Sequence, residues 1–218
     1  MIAIVDYGVG NLRSAAKGLE RAAADAGRDV EVRVTTSASD VERADAVVLP
    51  GVGAFGACMS NLDASGLRDA VVRAAGSGRP FLGVCVGMQI LFEESSEFGP
   101  VAGLGVLPGK VVRFRAKGVK IPHMGWNALR IRKRVRELEG LGDEPYVYFV
   151  HSYYAEPSDP AIVAATAEYG GEEFTAAVAR DALFATQFHP EKSQLVGLKI
   201  LASFVRAADR PLQVAVPA

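Results

Sequence analysis

Cysteine occurs only twice in the 218 residues, at Cys58 and Cys85, histidine three times and tryptophan once. Two thiols that stand in no metal-like spacing make neither a disulfide framework nor a zinc module, so no metal is expected. Charge of one sign is missing as well: 24 Lys and Arg stand against 25 Asp and Glu, a formal net charge of −1. That balance offers no general electrostatic case for nucleic acid or an anionic membrane. No apolar run approaches the ~20 residues that a bilayer span needs. Met1–Asp6 leads straight into a strand pattern, without a basic leader or a cleavage site. A cytoplasmic, reducing setting is the resulting expectation. Repeats, linkers and low-complexity tracts are also lacking. Residues 1–218 therefore read as one domain, half hydrophobic and long enough for a large core.

What is present centres on Phe81-Leu-Gly-Val-Cys85-Val-Gly-Met-Gln-Ile-Leu91. A short apolar run, Pro80–Val84, meets a Cys with glycine two residues to either side, and an amphipathic run follows. The pattern predicts a strand, a sharp turn and a helix with Cys85 at the apex, a cysteine form of the G-x-S-x-G nucleophile elbow. Such a turn is strained and neighbouring backbone passes close by, which glycine permits. At a helix N-terminus, unpaired N–H groups and the helix dipole favour the thiolate over the thiol. The plainer reading, a small buried hydrophobe, suits many free cysteines but fits the flanking glycines poorly.

Strand and helix patterns alternate before the elbow. Ile2–Val5 is a short apolar strand. Leu12, Ala15, Ala16, Leu19, Ala22 and Ala23 then recur at helical spacing, and Gly27 marks a stop. Val30–Val34 alternates like a strand, Ala46–Leu49 is continuously apolar, and Leu67–Ala75 reads as helix. This alternation implies an α/β fold with a mostly parallel sheet covered on both faces. Ligands in such sheets bind outside the carboxyl ends of the strands, where Cys85 falls.

Two glycine-rich loops have to be weighed as nucleotide sites. Tyr7-Gly-Val-Gly-Asn11 begins like a dinucleotide loop but has Arg13 where the third Gly belongs. Gly51, Gly53 and Gly56 match G-x-G-x-x-G after a strand. The ribose-binding acid expected about twenty residues on is absent, because Asp69 lies inside the helical stretch. The second loop reads better as a set of backbone N–H groups beside the elbow, offered to an oxyanion. Cys58, just beyond it, reads as a packed helix residue.

Lys110–Arg115, Trp126–Ile131, Tyr146–Val150, Thr175–Arg180 and Leu183–Gln187 look extended. Arg130–Arg136 is the basic cluster. A solvated edge strand with charged gatekeepers accounts for it; a patch for a phosphorylated ligand or an acidic partner is the other reading. The last segment, Thr186-Gln-Phe-His189-Pro190-Glu191, precedes a helix with Leu195, Leu198, Leu201 and Val205 on one face. Pro190 forces His189 to be extended and can itself open a helix. Residues i and i+2 of extended backbone point the same way, so His189 and Glu191 can share one side of a strand end. A carboxylate there fixes the imidazole tautomer and stabilises the imidazolium. His123 and His151 remain alternative partners for the thiol.

Taken together, these residues resemble the class I glutamine amidotransferases, with their Cys-His-Glu triad. The likeness spans essentially the whole chain. It rests on Asp6-Tyr-Gly-Val-Gly-Asn-Leu12, Pro50-Gly-Val-Gly-Ala-Phe-Gly56, Gly83-Val-Cys-Val-Gly-Met-Gln89, Pro122-His-Met-Gly-Trp-Asn127, Tyr148-Phe-Val-His-Ser-Tyr153 and Gln187-Phe-His-Pro-Glu-Lys-Ser193. The loops at Asp6, Pro50 and Pro122 are similar to those of members that serve histidine biosynthesis; a glutaminase of another pathway is the alternative. Val84 and Val86 stand where the family often has Ile and Leu, and these apolar swaps keep the elbow.

The resemblance implies a flavodoxin-like, mostly parallel central sheet with helices on both faces and added antiparallel strands. It implies that Cys85 attacks the side-chain amide of glutamine, with His189 as base and then acid and Glu191 orienting it. An oxyanion hole would come from Val86 and the Gly51-Val52-Gly53 backbone, and Gln89, Glu97, Ser152 and Tyr153 would contact the substrate. No cofactor is implied. The ammonia would pass to a separate (βα)8-barrel cyclase subunit, which makes imidazole glycerol phosphate and a carboxamide ribotide. Asn11, His123 and Trp126 are the expected docking residues, although Trp126 reads equally as a partly buried core aromatic. A loop carbonyl turned toward the site at rest would leave the isolated subunit weakly active until the loaded partner flips it.

Overall fold

The computed structural model describes residues 1–208. The part of the expected domain from 209 to 218 lies outside the described residues. Ile2–Val5 (β1) and Val32–Thr35 (β2) flank the helix Leu12–Asp25 (α1), and Ala38–Arg43 (α2) leads into Ala46–Gly51 (β3). Phe55–Ala64 (α3) and Arg68–Ala75 (α4) lead to Phe81–Cys85 (β4), followed by one helical turn, Val86–Gln89 (α5). Next come Glu94–Ser95 (β5), Val101–Ala102 (β6), Gly109–Arg113 (β7), His123–Ala128 (β8), Arg130–Ile131 (β9) and Tyr146–His151 (β10). Tyr153–Pro157 (β11), Val163–Tyr169 (β12), Glu172–Arg180 (β13), Leu183–Thr186 (β14) and the helix Gln194–Ala208 (α6) complete the order.

The main sheet has the order β2-β1-β3-β4-β14-β13-β12-β9. Its first five strands are parallel, and β13, β12 and β9 add on antiparallel. The order of the parallel part, with the first crossover running outward and the later ones the opposite way, is the flavodoxin-like pattern. Right-handed crossovers then put helices on both faces. Residues of β1, β3 and β4 are buried throughout, whereas β2 is largely exposed, as befits central and edge strands. Gly170 and Gly171, both at positive φ, close the tight β12–β13 hairpin. Two smaller sheets, β10-β8 and β11-β7-β5-β6, sit outside this frame.

Several sequence expectations shift. The elbow helix stops after one turn, and Val86–Phe92 is buried throughout rather than amphipathic; a single turn offers the sulfur far less dipole than a long helix would. The expected strand Trp126–Ile131 divides, with β8 pairing β10 and β9 joining the main sheet. On α6, Leu195 is 75% exposed while Gly197, Ile200, Leu201, Phe204 and Val205 are buried. A Cβ at Gly197 would lie 1.8 Å from the Pro190 carbonyl, so the helix packs through 197 and its neighbours one turn on. The basic cluster forms a charged sheet edge: Arg130 reaches Glu168 at 3.0 Å and Glu173 at 3.4 Å, and Arg132 pairs with Glu173. Among the described residues, no helix is long and apolar enough to cross a membrane.

Candidate functional site

Cys85 ends β4 at φ 55° and ψ −114°, a strained conformation for a residue with a side chain. Its register partner is Gly51 at the end of β3. There a Cβ would lie 2.5 Å from the Gly87 nitrogen, so the two strand ends and the turn pack backbone against backbone. The buried Tyr7 hydroxyl donates to the Pro50 carbonyl at 2.7 Å and ties the Gly-rich loop to the end of β1. Cys58 is buried on α3, as expected, and its thiol donates to the Val52 carbonyl at 3.4 Å.

His189 is extended, at φ −98° and ψ 98°, and Pro190 opens a 3-10 turn. That turn, rather than the expected straight strand end, carries Glu191 back to the ring. The His189 Nδ1 lies 2.8 Å from Glu191 Oε1, and both side chains are almost wholly buried. The Cys85 side chain lies close enough to the imidazole to act on its proton affinity. Burial pulls the His189 pKa down, but the bonds and charges of Cys85 and Glu191 outweigh it and raise the pKa to about 10. The imidazole therefore holds its proton at neutral pH. The His189 backbone is pinned on both sides. Its N–H donates to the Tyr148 carbonyl at 3.0 Å, and its carbonyl accepts from Ser193 Oγ at 2.7 Å.

Beside the sulfur lies a cavity of about 320 Å³. Val52, Gly53 and Val86 line it next to Cys85 and His189, and Gln89, Glu97, Ser152 and Tyr153 line the rest with Pro122, Val150 and His151. Gln89 spends both amide hydrogens internally, on the Tyr153 carbonyl and on Gln187 Oε1 at 2.9 Å each. Its carbonyl oxygen is the end left for a ligand. Glu97 accepts from the Phe55 N–H at 2.7 Å, at the start of α3, where a carboxylate suits the helix terminus.

The other two histidines do not reach the thiol. His151 Nδ1 lies 2.8 Å from the Tyr153 carbonyl, which can only accept, so this nitrogen carries the hydrogen. The His151 Nε2 then accepts from His123 Nδ1 at 3.3 Å, and Asn127 donates to His123 Nε2 at 3.4 Å. Burial keeps both rings neutral, lowering the pKa of His123 to about 4 and that of His151 to about 3. His123 stacks between Phe149 and Tyr169 and is 3% exposed. This corrects its assignment to a docking face, because the aromatic cluster takes the ring into the core. Asn11 is exposed, and Trp126 is 45% exposed with Met124 two residues before it on β8. Sequence reasoning missed Gln187 as a neighbour of the sulfur and Tyr7 as a support of the loop. Gln187 lay beside the His-Pro-Glu segment, but only the fold brings it to Cys85. Among the described residues, no group of three or more His, Cys, Asp or Glu is placed to hold a metal.

The family model "Glutamine amidotransferase class-I" matches residues 4–208. A protein named imidazole glycerol phosphate synthase subunit HisH from Syntrophotalea carbinolica is 52% identical over 94% of this chain and 98% of its own. One of the same name from Microcystis aeruginosa is 50% identical over 96% and 97%. Among solved structures, a crystal structure of a glutamine amidotransferase covers 95% of this chain and 99% of its own, with a TM-score of 0.71 at 22% identity. One from Thermotoga maritima covers 96% and 98%, with a TM-score of 0.68 at 13% identity. These structures share the fold. A family match across nearly the whole length, and half-identical relatives of the same extent, agree with the elbow and its cavity: the chain belongs to the class I glutamine amidotransferases.

Proposed function

We propose that this chain is the glutaminase subunit of an imidazole glycerol phosphate synthase, hydrolysing glutamine to glutamate and ammonia through Cys85, His189 and Glu191. The observation that carries the reading is the buried His189–Glu191 pair set beside Cys85 at the wall of a cavity of about 320 Å³. The names of the half-identical relatives support the choice of pathway.

The sulfur, as thiolate, attacks the side-chain amide carbon. The imidazolium of His189 gives its proton to the amide nitrogen, ammonia leaves, and a γ-glutamyl thioester forms. Water then attacks the thioester while His189 takes its proton, releasing glutamate and restoring the sulfur. Glu191 holds the ring at Nδ1, so that Nε2 faces the chemistry. The backbone N–H groups of Val86 and of the Gly51-Val52-Gly53 loop serve the oxyanion; one such donor typically contributes about 10²–10³ in turnover. The Gln89 carbonyl oxygen and Glu97 receive the substrate's donors, its ammonium among them, and Ser152 and Tyr153 complete the cavity wall.

Ammonia freed into bulk water becomes protonated and is lost as a nucleophile, so the chain delivers it to a docked (βα)8-barrel cyclase subunit. Trp126 and Asn11 belong to the docking face. The setting is the cytoplasm, and residues 1–218 act as one domain. The test is ammonia release from glutamine with and without the cyclase, comparing wild type with Cys85→Ala. Activity should rise with the loaded cyclase and fall by more than about 10³-fold in the variant. Hydrolysis that survives the substitution overturns the reading.

A further inference from the structure

Gln187 is completely buried at the end of β14, immediately before the segment that carries His189. Its Nε2 lies 3.8 Å from the Cys85 sulfur, within donor range for sulfur, and its Oε1 accepts from Gln89 Nε2 at 2.9 Å. The direction of this relay is set from its far end. The Tyr153 carbonyl can only accept, so Gln89 must turn its NH2 group toward it, and the second hydrogen of that group meets Gln187 Oε1. Gln187 is then obliged to present its NH2 group to the sulfur. The Tyr153 carbonyl is itself held by His151 Nδ1 at 2.8 Å. An amide donor has no proton to lose at any working pH, and a hydrogen bond to an ionised acceptor is about twice as strong as a neutral one.

We infer that Gln187 is a further residue of this reaction: its side-chain N–H binds the Cys85 sulfur, stabilises it as the anion and aims it into the cavity, while Gln89 is a positioning residue that keeps Gln187 turned that way. The inference deepens the glutaminase reading and rests on it. The titratable groups facing the sulfur are His189, Tyr7 and Cys58, with Glu191 behind His189 and Glu97 near Cys58. Burial holds Tyr7 and Cys58 in their neutral forms. The pH response of the sulfur is therefore governed by His189 and by the fixed amide.

The experiment measures alkylation of Cys85 by iodoacetamide against pH in the full chain, read by mass spectrometry on the Cys85 peptide. Wild type is compared with Gln187→Leu and Gln187→Glu. The sulfur's electron pair forms the new S–C bond as iodide leaves, so the rate reports the thiolate. Gln187→Leu should raise the pH midpoint by about one unit and lower kcat beside the loaded cyclase about tenfold, with KM nearly unchanged. Gln187→Glu keeps the shape and the acceptor for Gln89 but sets a carboxylate against the sulfur, and should shift the midpoint further. In wild type, the side-chain NH2 resonances of Gln187 should move as Cys85 ionises, a measurement that needs no substitution. Unmoved resonances, an unshifted midpoint, or a rise in KM alone overturn the inference. A wild-type chain whose Cys85 alkylates but which releases no ammonia beside the cyclase overturns the glutaminase reading instead, and leaves the Gln187 comparison intact.

Discussion

Gly87 passes so close to Leu49 that a Cβ at position 87 would lie 1.9 Å from the Leu49 carbonyl oxygen. The turn that raises the sulfur of Cys85 thus leans directly on the neighbouring strand. Gly87→Ala should destabilise the chain by more than about 4 kcal/mol, or push the turn away and abolish activity. Gly76→Ala is the control, because its nearest neighbour would be 3.7 Å away at an ordinary φ. Urea denaturation of the two variants checks the contrast.

Glu191→Gln keeps a group of the same shape beside His189 Nδ1 but removes the charge that helps hold the imidazole protonated. Turnover should fall about 10²-fold. The loss is smaller than in a serine enzyme, because a thiol ionises readily on its own. The pH at which His189 loses its proton should also drop, which is visible by NMR of the ring. An unchanged ring titration would contradict the pairing.

Glu97 serves two masters, the cavity and the first N–H of α3. Glu97→Gln retains an acceptor for Phe55 and removes the charge proposed to meet the substrate ammonium. KM for glutamine should rise about tenfold or more, with kcat within a few-fold, in steady-state assays with the cyclase. A fall in kcat at constant KM would place Glu97 outside the binding site.

Acid should weaken this fold through His123 and His151. Their pKa values are depressed, so the unfolded chain binds protons that the folded one refuses. Their contribution is complete above about pH 6.5 and is lost as pH falls through about 4 and then about 3. His189 works the other way: with its pKa raised to about 10, its contribution is complete below about pH 6.5 and fades as pH climbs toward 10. Melting curves of wild type and His123→Phe between pH 4 and 8 separate these effects. The variant should be less stable at pH 7, where His151 has lost a hydrogen-bond partner, yet decline less steeply in acid.

Much of this protein is legible without coordinates, because the informative signals are local. Continuous apolar runs define β1, β3 and β4, Gly83-Val-Cys85-Val-Gly87 defines a strained turn, and Pro190 dictates the backbone of His189. Each rests on φ and ψ preferences or on burial within a few residues. The sequence by itself thus determined the parallel half of the sheet, the strained turn at Cys85 and the placing of Glu191 beside His189, but left three histidines open as partners of the thiol.

Only the tertiary structure decided what depends on distant packing. Nothing local distinguishes His189 from His151 as the neighbour of Cys85; the pairing of β14 with β4 does. Nothing local buries His123 on an otherwise exposed strand; Phe149 and Tyr169 arrive from other elements to enclose it. Gln187 meets the sulfur across 102 positions of chain. Such contacts are set by how sheets and helices pack, and a short window of sequence holds no record of that.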